Sequence, residues 1–82
     1  MSSNELLIAK GRLAEQEERC GQIEMKAESL LIQLREILNP YSKFIDLELE
    51  KALLLVKEFR ELQLKARDSY NQINQIKQNY NL

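Results

Sequence analysis

Histidine and tryptophan are absent from this chain, proline and cysteine occur once each, and glycine occurs only twice in 82 residues. Each shortage excludes something. Without histidine the chain lacks the commonest general base and metal ligand at neutral pH. A lone cysteine, Cys20, permits no internal disulfide and so no secreted disulfide framework. Neither sign of charge dominates: 12 basic and 13 acidic residues leave a net charge of −1 and are spread along the whole length. A nucleic-acid binder normally carries a basic face, because phosphate neutralisation dominates its affinity, and nothing here favours one. Long hydrophobic runs are missing too. The longest, Ala52 to Val56, is far short of a membrane span. The amino-terminal stretch has neither the basic nor the apolar segment of a signal peptide, so the expected setting is the cytoplasm.

What is there is helical in period. Hydrophobic residues make up 44% and charged residues 30% of the chain, and the apolar ones fall at helical spacing, as in long-helix and coiled-coil proteins. This length allows one domain, residues 1–82. Ser3 or Asn4 can cap a first helix, and Glu5 adds a favourable charge near its positive end. One seam position then recurs as Leu6, Leu13, Cys20, Ala27 and Leu34, and the other as Ala9, Gln16, Ile23, Leu30 and Ile37. Only Gln16 among them is polar, so an a/d seam runs for about five heptads. Beyond residue 40 comes a second seam of Ile45, Ala52, Phe59, Ala66, Ile73 and Tyr80, joined by Leu55, Leu62 and Ile76. Leu49, Val56 and Tyr70 widen that stripe, and strong helix formers fill the gaps.

The two seams differ in phase, which a stutter in one continuous rod would also produce. Pro40 decides for a turn. It lacks an N–H and clashes with the carbonyl four residues back, at a cost of about 3 kcal/mol inside a helix, and it pushes Asn39 out of the helical region. Asn39 or Ser42 can cap the helix that follows. The spacing therefore predicts a first helix over about residues 4–38, a turn at Asn39, Pro40, Tyr41 and Ser42, and a second helix over about residues 43–79. Folding about residue 41 sets Ile23 against Phe59, Leu30 against Ala52, Ala27 against Leu55, Ala9 against Ile73 and Gln16 against Ala66. Large residues then mostly meet small ones.

A single hairpin buries one stripe per helix, and this chain has more than that near the turn. Met25, Leu31, Ile32 and Leu38 lie off the first seam, and Leu47, Leu53, Leu54 and Leu64 off the second. Exposed together they would form a patch larger than monomers usually carry, and burying each leucine is worth roughly 1.5–3 kcal/mol. The expected interface is Leu31, Ile32, Leu38, Leu47, Leu53, Leu54 and Val56. The fold expected is all-α: an antiparallel two-helix coiled-coil hairpin that dimerises into a four-helix bundle.

Reaction chemistry finds no foothold in this pattern. Glu15, Glu17 and Glu18 lie on the polar face without a second ligand set, so a solvated face is expected rather than a metal site. Cys20 sits at a seam position, where a cysteine packs as a small hydrophobe. Lys57, Arg60 and Arg67 form a short basic line that Glu61 and Asp68 interrupt, which leaves nucleic-acid regulation a minor alternative. Residues 71–81 are rich in Gln and Asn but keep Ile73, Ile76 and Tyr80 at helical spacing, so they read as a helix that frays at its end. Gly11 and Gly21 weaken the outer face of the first helix and offer room for another backbone.

The expectation is a non-enzymatic interaction module without catalytic, cofactor-binding or metal residues. Its partners would be a second copy, as homodimer or tetramer, and another protein, with no membrane contact. In outline the hairpin resembles the small helical-hairpin chaperones and needle subunits of bacterial secretion systems, and small phage-encoded hairpins. That likeness is of shape alone, and it implies the alternative of a chaperone-like subunit that needs a different protein.

Overall fold

The computed structural model describes residues 3–82, which form two long helices and one connection. Helix α1 spans Ser3–Ile37 and helix α2 spans Leu49–Tyr80, with a single 3-10 turn at Phe44–Asp46 between them. The helices pack antiparallel in a rod measuring 64 × 15 × 14 Å. The described residues contain no strand. Ser3 and Asn4, the expected caps of the first helix, both lie within α1, so neither is its cap.

The heptad spacing of α1 carries straight into burial. Leu6, Ala9, Leu13, Gln16, Cys20, Ile23, Ala27, Leu30, Leu34 and Ile37 are buried or half-buried, and every other residue of α1 is exposed. On α2 the covered positions are Ala52, Leu55, Phe59, Leu62, Ala66, Ile73, Ile76 and Tyr80, together with two polar ones, Ser69 and Gln72. Ser69 occupies the heptad place between Leu62 and Ile76. Leu49, Val56 and Tyr70 stay exposed beside the stripe rather than widening the buried core.

The connection is longer than the spacing predicts. Asn39 cannot be helical before a proline, and residues 39–42 close a β-turn in which the Ser42 N–H donates to the Asn39 carbonyl at 3.1 Å. The Asn39 Oδ1 accepts from the Tyr41 N–H at 2.9 Å, so this side chain braces the turn and caps no helix. Lys43 and Leu47 are extended on either side of the 3-10 turn, and α2 starts only at Leu49, where the Glu48 carbonyl accepts from Ala52 at 3.0 Å. Ser42 therefore caps nothing either. Ile45, an expected seam residue, falls in this connection and is 86% exposed, while Leu47 folds inward to half-burial.

The later start of α2 also moves the register. The midpoint between the helices lies near residue 43 rather than 41, and the Gln16 Nε2 donates to the Gln72 Oε1 at 2.9 Å instead of facing Ala66. Ile23 and Ala27 share one cleft with Phe59, Leu62 and Ala66. The pairing is thus displaced by about a heptad from the expected one, a shift that keeps seam on seam. At the far end α2 runs through Tyr80 and closes on Asn81 in the left-handed conformation (φ 53°, ψ 43°), with the Leu82 N–H donating to the Lys77 carbonyl at 3.0 Å. Asparagine tolerates that conformation, and the closure satisfies a carbonyl that a helix end otherwise leaves open.

Two substitutions test this packing. A methyl group at Gly21 meets nothing within 4 Å, and the same holds at Gly11, so neither glycine admits a neighbouring backbone in the hairpin. Gly21→Ala should raise stability in urea by about 1 kcal/mol, the helix propensity difference; a loss would show that something packs there. The Ser69 side chain is fully buried and its Oγ has no hydrogen-bond partner among the described residues. Ser69→Ala should therefore stabilise by about 1–2 kcal/mol, from propensity and relief of the stranded hydroxyl, and a destabilised variant would reveal a partner for it.

Candidate protein-interaction surface

In an antiparallel pair the heptad positions that flank the seam on one side belong to the same letter in both helices. On one side of this hairpin those positions are Glu17, Glu24, Leu31 and Leu38 of α1 and Leu49, Val56, Gln63 and Tyr70 of α2. Two contacts fix the assignment. The Tyr70 hydroxyl donates to the Glu24 Oε1 across the helices, and Leu31, Leu34, Leu38, Pro40 and Val56, with Arg35, line one open and largely apolar groove of about 360 Å³.

Of the seven expected interface residues, the structure gathers three, Leu31, Leu38 and Val56, around this groove. Leu53 sits on its outer flank by heptad position, Ile32 lies on the face of α1 away from the seam, and both are exposed. Leu54 points to the other side of the rod, although it is 70% exposed like Leu53. Leu47 is half-buried in the connection and belongs to the end of the core. The apolar surface extends further than the sequence reading took it. Leu49 is exposed beside the groove, and the turn end displays Tyr41, Phe44 at 83% exposure and Ile45. Phe44 and Ile45 are adjacent in sequence and cannot both enter one seam, which was the available signal.

The opposite side has a different character. Arg19, Lys26 and Lys65 share a shallow cleft with Gln22 over Ile23 and Leu62. Of the sequence's own basic line, Arg60 and Arg67 are exposed on the groove side, where the Arg60 Nη1 donates to the Gln63 Oε1 at 2.5 Å, and Lys57 is exposed on the face away from the seam. The two basic sets therefore lie on different sides and form no single basic face. Glu15, Glu17 and Glu18 are exposed on α1. Among the described residues no group of three or more Cys, Asp or Glu is placed to hold a metal ion, and no helix is long and apolar enough to cross a membrane. Cys20 is buried in the seam.

Polar residues cross the seam at one level. Gln16 and Gln72 are joined as described, the Gln72 Nε2 donates in turn to the Asp68 Oδ2 at 3.1 Å, and the buried Gln16 Oε1 has no partner among the described residues. Ser69 lies one turn before Gln72's neighbour Ile73, so the layer concentrates stranded polar groups within one segment of the rod. Such a layer costs stability but favours one register over its neighbours a heptad away.

Tyr70 reports on the groove side directly. Its hydrogen bond to Glu24 and that carboxylate's negative charge raise its pKa above the ordinary value near 10. The folded state binds this proton more tightly than the unfolded one. Its contribution to stability is therefore complete below about pH 10 and is lost as pH climbs through the raised value. In a chain carrying Tyr41→Phe and Tyr80→Phe, tyrosinate absorbance should give a folded midpoint above 10, and Glu24→Ala should bring it back. A folded midpoint at or below 10 would contradict the cross-helix bond.

No protein-family model, no curated protein and no solved structure matches this chain.

Proposed function

We propose that this chain is a non-enzymatic helical interaction module, a small adaptor, assembly or scaffold protein that acts as a cytoplasmic homo-oligomer. The observation that carries the reading is the open groove of Leu31, Leu38, Pro40 and Val56 beside Arg35, flanked by exposed Leu49 and Leu53 on a rod of only two helices. Contiguous apolar surface of this kind marks an interaction site in a soluble protein. A second hairpin laid on it completes a four-helix bundle, the simplest way for two-helix units to cover a second stripe. The lone buried Cys20 suits a reducing compartment.

The exposed Tyr41, Phe44 and Ile45 at the turn end favour a second reading, a chaperone-like subunit that holds a different protein. On that reading the isolated chain aggregates or folds poorly and co-purifies with another polypeptide.

Sedimentation of the purified protein separates the two. The homo-oligomer reading expects a helical dimer or tetramer, and it expects Leu31→Glu with Val56→Glu to yield monomers of unchanged helicity. A stable wild-type monomer would sink it.

A further inference from the structure

We propose that the second copy docks on the groove side with both turn ends together and with α1 of each hairpin lying over α2 of the other. The two-fold axis then runs along the rod. This rests on the self-association proposed above and specifies its geometry.

Charge on the groove side is divided between the helices. By heptad position α1 presents Glu17, Glu24 and Glu28 there, and α2 presents Arg60 and Arg67, all of them exposed. None is in an ion pair within the hairpin among the described residues. Near the turn Arg35 of α1 lies on the same side, where α2 presents the apolar Leu49 and Leu53. Lys10 and Lys77, near the chain ends, are the like-charged exception. An isologous contact sets each residue against one fixed partner and repeats the pair by symmetry. With the axis along the rod, the acidic middle of α1 meets the basic middle of α2 twice over, with Glu28 level with Arg60. An axis across the rod would instead lay α1 on α1, glutamates against glutamates, which is unfavourable for an encounter steered by charge.

Apolar residues match under the same operation. The register marked by the Gln16–Gln72 bond puts Leu31 level with Val56 and Leu38 level with Leu49. Each leucine of α1 therefore falls over an apolar residue of the other copy's α2. Area favours full overlap as well. A face of 64 × 15 Å projects roughly 1,000 Å² against the approximately 800 Å² per partner of a standard interface. A turn-to-tail offset that overlaps only the leucine-rich halves would reach about half of that area.

Two measurements on the full chain test the arrangement. Nitroxide labels on Ser42→Cys, in a Cys20→Ala background, should give a label-to-label distance below about 30 Å, since four-helix layers place neighbouring axes only 8–10 Å apart. A longer distance, approaching the 64 Å length of the rod, would overturn the arrangement. Independently, Arg60→Glu with Arg67→Glu should weaken self-association at least tenfold, and mixing that chain with one carrying Glu17→Arg and Glu28→Arg should restore it as a heterodimer. Undiminished association of the arginine-reversed chain would count against α1 over α2. A wild-type monomer would defeat self-association itself, whereas a dimer that fails either test leaves self-association standing and removes only this geometry.

Discussion

One apolar stripe per helix, buried against one other stripe, is the interaction on which this hairpin depends. Ten consecutive seam positions of α1 account for all the covered residues of that helix. Their burial is worth roughly 1.5–3 kcal/mol for each large side chain that is fully enclosed, and among the described residues only Ile23, Leu30, Leu34, Ile73 and Ile76 of the large aliphatics come near that state. The core is correspondingly thin. A rod 15 by 14 Å across has no second layer, so every leucine of α1 and α2 that misses the seam faces solvent. The exposed groove is thus a direct consequence of the architecture.

Placement along the seam depends on the connection. Pro40 excludes a continuous helix, and the Asn39 side chain and carbonyl shape the β-turn that follows. The extended Lys43 and Leu47 delay α2 to Leu49 and fix which heptads meet. The Gln16–Gln72 bond lies far from the turn and agrees with that register. A displaced hairpin would strand both amides, whereas the aliphatic layers alone would tolerate a slip of one heptad. Stability and register are in this sense set by different residues.

Helix identity, the two-helix fold and the seam of α1 were legible in the sequence because a seven-residue period maps directly onto burial. The position of the turn residues was legible for a similar reason, since proline sterics act locally. Register was not. Seam-on-seam packing is satisfied equally well at pairings one heptad apart, and the choice depends on the length of a connection whose 3-10 turn leaves no signal in hydrophobic spacing. Ile45 shows the cost: its period fits the seam of α2, but it falls before that helix begins. Ser69 and Gln72 were missed because hydrophobic spacing does not register buried polar residues. The interface set was half legible. Off-seam leucines could be picked out, but sorting Val56 from Leu54 needed the antiparallel geometry that places flanking positions on a common side.

The charge division on the groove side ties these threads together, because it exists only once the two helices are antiparallel and their flanking positions are aligned. Glutamates of α1 and arginines of α2 that are scattered in sequence then become two rows side by side on one side of the rod. Small-angle X-ray scattering from the purified chain tests the account most directly. The account predicts a particle of twice the chain mass whose longest dimension stays near the 64 Å of a single hairpin. A particle of one chain mass, or a two-chain particle much longer than one hairpin, would contradict it.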